Sequence, residues 1–204
     1  MKFDMTNAVD LLDGLRVEYG IIRGNGHIVV IKAGSGGSYM GDGEKYARMA
    51  HRLHDAYGCT VICLSNFSTD SFERGDVAII REVISGMDGE IFLYYIGNSN
   101  GGTQGLLAAT KHFVFQRMLL INMPLMLNFH KIKEAIAHVG GTNEANTEIR
   151  FVYGSKDPSY AYVPFLENAC RRDRCSTHVE IERIPGADHN FAGMLDVFVD
   201  LCMR

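Results

Sequence analysis

Short segments that are apolar on both faces, VICL at 61–64, IFLYYI at 91–96 and MLLI at 118–121, alternate along the chain with longer amphipathic stretches. A strand wet on one side alternates apolar and polar residues, whereas a continuous apolar run is covered on both faces. With helical stretches between them, such runs predict a mainly parallel sheet sandwiched by helices, a three-layer α/β/α architecture of the α/β class. Helices are expected over 44–57, 72–85 with the Ser71 region as cap, 103–111, 131–138, 160–171 and 191–202. At the start, LRVEYGIIR and HIVVIKA flank Gly24-Asn25-Gly26, a hairpin signal that predicts an N-terminal antiparallel hairpin at the sheet edge.

The 204 residues are enough for one full core, and a single domain over 1–204 is expected. A net charge of −4 without a Lys/Arg block gives no footprint for nucleic acid or anionic membrane. The short basic cluster of Arg171, Arg172 and Arg174 reads as a helix end or solvated face. MKFDMTNAVDLLDG has neither the apolar core nor the cleavage site of a secretory signal, and no apolar run approaches the ~20 residues of a membrane span, so a cytoplasmic location is expected. Five cysteines, Cys59, Cys63, Cys170, Cys175 and Cys202, form no CxxC pair and suggest neither a disulfide framework nor a zinc site.

In a parallel sheet, ligands lie where the loops gather beyond the carboxyl ends of the strands. The loop GNSNGG after IFLYYI matches G-x-S-x-G between a buried strand and a helix, the setting of a tight turn that projects a serine hydroxyl, here Ser99. Gly97 and Gly101 fit that turn because a side chain at either would crowd the neighbouring strand or helix. A serine needs a base to take its proton and a carboxylate to orient that base. Asp157 follows TEIRFVYG in GSKDPS, and His189 follows THVEIERI in PGADHNF, each just past a strand and in the chain order Ser, Asp, His. Asp157, before Pro158, also suits the cap of the next helix, and Asp188 suits a turn. His178 opens the last strand and therefore lies at the opposite sheet edge. Backbone N–H groups of Asn100, at the helix start, and of Ser35, in AGSGGS, are the candidates for an oxyanion hole. AGSGGSYMGDG lacks the Lys-Ser/Thr of a P-loop and has Tyr39 in place of the last glycine of G-x-G-x-x-G, which argues against a nucleotide site.

In VVIKAGSGGS, GNSNGG, GSKDPS and PGADHNF, from about Ile28 to about Leu201, the chain resembles the α/β-hydrolase family. The resemblance implies an eight-stranded type of sheet, a serine nucleophile and cleavage of ester, thioester or amide bonds with no metal or organic cofactor. Two positions depart from the common pattern: Ala33-Gly34 stands where many members have His-Gly, so a loop-bracing side chain is absent, and Asn100 follows the serine where a small or apolar residue is common, its side chain a candidate for substrate contact. Only about 25 residues separate the fourth and fifth parallel strands, too few for a helical lid, which points to a small or accessible acyl ester. Tyr39, Met123 and Tyr160, in the carboxyl-end loops, are candidates to line an acyl pocket around this small-molecule substrate. Acyl transfer, thioester or peptide hydrolysis on the same residues, and a non-catalytic binding module, are the alternatives.

Overall fold

The computed structural model describes residues 2–204 apart from 11–13, 15, 68–71, 127–128, 142–146 and 173–177. Ser71, Arg174 and Cys175 lie outside the described residues, as does most of the polar stretch 140–148. In chain order the strands and α-helices are β1 (Met5–Asp10), β2 (Arg16–Ile22), β3 (Asn25–Lys32), α1 (Lys45–Tyr57), β4 (Cys59–Leu64), α2 (Val77–Ser85), β5 (Phe92–Asn98), α3 (Asn100–Ala109), β6 (Phe115–Ile121), α4 (Phe129–Gly141), β7 (Glu148–Gly154), α5 (Val163–Arg172), β8 (Val179–Ile184) and α6 (Leu195–Asp200). All eight strands join one sheet in the order β1-β2-β4-β3-β5-β6-β7-β8. The six from β4 to β8 in that order run parallel, as their doubly apolar sequences require.

The N-terminal antiparallel pair is present, but it is β1 with β2. The pairing read from Gly24-Asn25-Gly26 is overturned: β2 and β3 are not neighbours, because β4 lies between them, antiparallel to β2 and parallel to β3. The Gly-Asn-Gly turn instead carries the chain past the start of β4. Asn25 donates its backbone N–H to Gly58 O at 2.8 Å, Gly24 N–H donates to the Thr60 hydroxyl, and a Cβ on Gly24 would stand 2.2 Å from Gly58 O. Close passage under another strand requires those glycines as surely as a hairpin would.

Each sheet face is covered by its own core. On one side Ile28, Val30, Tyr95, Leu120 and Phe151 pack beneath α2, α3, α4 and α5; on the other Val29, Ile31, Val61, Ile121 and Val152 pack beneath α1 and α6. In α1, Tyr46, Met49, Ala50 and Leu53 recur at helical spacing on the buried face, and the helix stops at Gly58, whose φ of 63° lets its N–H close on His54 O. The closing helix is shorter than its sequence suggests, with six α-helical residues followed by a 3-10 turn over Leu201–Met203. No helix among the described residues is long and apolar enough to cross a membrane.

One charged pair lies inside this core. Lys32, the last residue of β3, meets Asp76, at the start of α2, at 2.5 Å, with both side chains fully buried. The ammonium also donates to Ser65 O at 2.6 Å. Burial draws the Lys32 ammonium below its ordinary value and pushes the Asp76 carboxyl above its own, and each charge opposes that shift in the other. Removing one member leaves a buried charge without its counterion. Asp76→Ala is expected to cost about 3–5 kcal/mol in urea unfolding, and the Lys32→Met, Asp76→Leu double variant to regain most of that loss. An unmoved urea midpoint in the single variant would contradict this role of the pair.

Candidate active site

Three loops bring Ser99, His189 and Asp157 together at the carboxyl edge of the sheet. Ser99 connects β5 to α3 in a conformation with φ 51° and ψ −126°. A non-glycine residue there costs on the order of 1–3 kcal/mol, so its surroundings must hold it. Ser99 N–H donates to Ile121 O at 2.8 Å, and Ser99 O accepts from Gly102 N–H at 2.9 Å. The glycines make room: a Cβ on Gly97 would lie 2.5 Å from Gly102 Cα, and one on Gly101 would lie 2.4 Å from Ala33 O. The steric reason expected for both glycines is the one observed.

Asp157 divides its carboxylate between two tasks. Oδ1 caps the 3-10 turn Pro158–Tyr162 by accepting from Ser159 N–H at 2.7 Å, while Oδ2 faces His189 Nδ1 at 2.5 Å. Its side chain is fully buried, whereas that of His189 is 39% exposed and opens toward solvent. Since a carboxylate accepts, Nδ1 carries the ring hydrogen and Nε2 is left to accept from the Ser99 hydroxyl, 2.9 Å away. The three side chains thus form a single hydrogen-bonded line able to move a proton off Ser99. Asp188 holds the turn: its carboxylate accepts from Ala192 and Asn190 N–H groups, and these amides keep it below the usual carboxylate range.

Beside Ser99 runs the loop after β3, so close that a Cβ on Gly34 would stand 3.1 Å from Ser99 Cβ. Gly36 N–H donates to Asn66 O and Gly37 N–H to Gly34 O. Burial pushes the Tyr46 phenol up to about 12, against hydrogen bonds from Gly34 N–H and the Asn98 side chain. Ser35 is exposed, and its N–H makes no hydrogen bond among the described residues. Asn100 N–H opens α3, where no intrahelical acceptor exists for it. Neither candidate donor is spent on a hydrogen bond among the described residues.

The other pocket candidates separate. Tyr39 is partly exposed and packs edge-on against Phe3, and Tyr160 is partly exposed in the turn after Asp157. Met123 is a correction: it is fully buried in the core, it packs against Gly102, and it presents no surface to a substrate. The chain after β6 turns inward because Asn122 takes a left-handed φ of 46°, which drops Met123 beneath α3. Asn98 is also buried, and Asn100 Oδ1 accepts from Asn66 Nδ2 at 3.2 Å.

Two side chains that brace the site carry weak sequence signals. Asn122 donates from Nδ2 to the carbonyls of Asp188 and His189, both at 3.0 Å, and accepts from Gly154 N–H at 2.8 Å. One amide thereby ties the histidine loop to the end of the strand that leads to Asp157. Its only signal is an asparagine between a buried strand and a proline-containing turn, where asparagine tolerates left-handed backbone. Asn66, two residues past the buried strand β4, lacks the proline and binds the loop after β3. His178 lies at the amino edge, where it helps line a groove of about 790 Å³ that also touches His27, Tyr94 and Arg204. Among the described residues, no three His, Cys, Asp or Glu side chains are grouped to hold a metal ion.

No protein-family model matches the sequence, and neither does any curated protein. Solved structures do match over nearly the whole chain. Est1E from Butyrivibrio proteoclasticus is similar with a TM-score of 0.73 at 12% identity, over 97% of this chain and 95% of that one. The substrate-bound fluorophosphonate-binding serine hydrolase F of Staphylococcus aureus is similar with a TM-score of 0.68 at 10% identity, over 98% and 96%. An α/β serine hydrolase without a lid from Xanthomonas campestris is similar with a TM-score of 0.67 at 16% identity, over 100% and 95%. At these identities the likeness is one of architecture, end to end in both partners, and that architecture is the α/β-hydrolase fold.

Proposed function

We propose that this protein is a serine hydrolase that cleaves a small or accessible acyl ester through an acyl-enzyme intermediate. The observation that carries the reading is the continuous line from Ser99 Oγ through His189 to Asp157, with contacts of 2.9 and 2.5 Å. In the first step His189 Nε2 takes the hydroxyl proton as Ser99 Oγ bonds to the acyl carbon. The tetrahedral oxyanion so formed is held by the N–H groups of Asn100 and Ser35. Collapse expels the alcohol, which receives the proton from His189, and leaves Ser99 acylated. Water then repeats the sequence with His189 again as base, releasing the acid and restoring Ser99. Asp157 keeps the imidazole in the tautomer that can accept at Nε2 and stabilises the imidazolium.

Support for an accessible substrate comes from the short connection between β6 and β7, which among the described residues holds α4 and no inserted lid domain. The half-open exposure of His189 agrees with it. Similarity to a serine hydrolase without a lid points the same way.

A fluorophosphonate probe is expected to label the wild type and leave Ser99→Ala unlabelled, with p-nitrophenyl acetate turnover falling by on the order of 10⁴-fold or more in that variant. Labelling that persists without Ser99, or a folded wild type that takes up no probe, would refute the assignment. Asp157→Asn keeps an oxygen for the Ser159 cap, so it should fold normally and lose about 10⁴-fold in kcat near neutral pH. A loss under tenfold would mean that Asp157 does not orient the base. Across p-nitrophenyl esters, kcat/KM should be higher for acetate and butyrate than for dodecanoate; the reverse order would contradict the substrate class.

A further inference from the structure

We propose that Asn66 is a positioning residue for the oxyanion hole, a role that rests on the reading of Ser99 as an acyl nucleophile. Ala33 offers no polar side chain to steady the loop it begins, and the loop's hold comes from the neighbouring strand. Asn66 reaches it by backbone and side chain together. Its N–H donates to Gly37 O at 2.8 Å, its carbonyl accepts from Gly36 N–H at 2.6 Å, and Nδ2 donates to Ala33 O at 3.0 Å. The Ala33 carbonyl can only accept, which settles the amide orientation. With Nδ2 so placed, Oδ1 accepts from Gln104 Nε2 at 3.2 Å, and Nδ2 also donates to Asn100 Oδ1 at 3.2 Å.

One amide therefore grips both sides of the proposed hole. On one side it holds the Ala33 carbonyl, two residues before Ser35, while the Asn66 backbone pairs with Gly36 and Gly37 just beyond it. On the other it holds the side chain of Asn100, whose N–H is the second donor. Gln104, on the next turn of α3, locks the amide from beneath. The residue before it is held too, since Lys32 Nζ donates to Ser65 O. At 1% exposure Asn66 does not touch a substrate, so it acts through the two donors whose separation it sets. Oxyanion stabilisation depends on donors already aimed at the position the oxygen reaches in the transition state. A loosened brace lowers the chemical step and leaves substrate affinity nearly as it was.

The test compares wild type, Asn66→Ala and Asn66→Asp, with active sites counted by fluorophosphonate uptake so that kcat refers to competent molecules. The aspartate substitution keeps the shape and the acceptor for Gln104, and supplies at most one hydrogen where the amide supplies two. Asn66→Ala is expected to lower kcat on p-nitrophenyl acetate about 10- to 100-fold with KM within about threefold. Inhibition by an alkyl boronic acid, whose tetrahedral adduct places an oxygen in the hole, should weaken by the same factor as kcat/KM. Asn66→Asp should fall between the two. A kcat per counted site within twofold of wild type in Asn66→Ala, or a rise in KM with kcat unchanged, overturns the role of Asn66 and leaves the hydrolase reading standing. A wild type that neither takes up probe nor turns over ester removes that reading, and this role with it.

Discussion

The site depends on how closely α3 is laid against the end of β5. Between Gly97 and Gly102 there is no space for a single methyl group, and a Cβ on Gly105 would lie 2.0 Å from the Tyr95 ring. The Tyr95 hydroxyl fills the remaining polar gap by donating to Gly101 O at 2.7 Å. A strand and a helix this close cannot be joined by a relaxed turn, so the residue between them is forced into the left-handed region. That residue is Ser99, and the strain lifts its hydroxyl above the sheet edge, where the loops after β3, β7 and β8 converge. Substitution at any of the packing glycines would therefore act on the serine without touching it.

Beneath those loops the polar groups are paired in depth. Lys32 with Asp76, Asn66 with Ala33 and Gln104, and Asn122 with three backbone groups are all almost wholly buried. Each such group would be costly if unpaired, because the interior strengthens a satisfied contact and penalises an unsatisfied one alike. Their arrangement follows the sheet: Lys32 ends β3, Asn122 directly follows β6 and Asn66 lies two residues past β4, where backbone pairing ends and carbonyls need new donors. The loops that meet at Ser99, His189 and Asp157 gain fixed positions in this way, as the proposed proton relay over 2.5–2.9 Å requires.

What the residues revealed in advance was what depends on local pattern. Doubly apolar strands such as VICL and MLLI imply parallel neighbours whatever the details of packing, and the Ser99, Asp157, His189 order follows from where those strands end. Gly24-Asn25-Gly26 misled because a glycine-rich turn reports only that backbones come close, not which strands pair afterwards. β1 was missed since MTNAVD is short, exposed along much of its length and paired on one edge only. Met123 was misplaced because its inward turn follows from a left-handed Asn122, a tertiary choice rather than a propensity. Asn66 and Asn122 carried no motif at all. A buried asparagine looks in sequence like any loop asparagine, and only the carbonyls around it identify its work.

The crossover at Gly24 has a consequence for the order of assembly. β2 and β3 are successive in the chain, yet the inner edge of β2 can be satisfied only by β4, which is synthesised after β3 and α1. The first ribbon of the chain thus has no docking edge until the central strands have formed one. Its contacts to β4 close a long loop and carry the corresponding entropy cost. In the finished sheet the β1–β2 ribbon is a border joined to the rest through β4, outside the strands whose ends carry Ser99, Asp157 and His189.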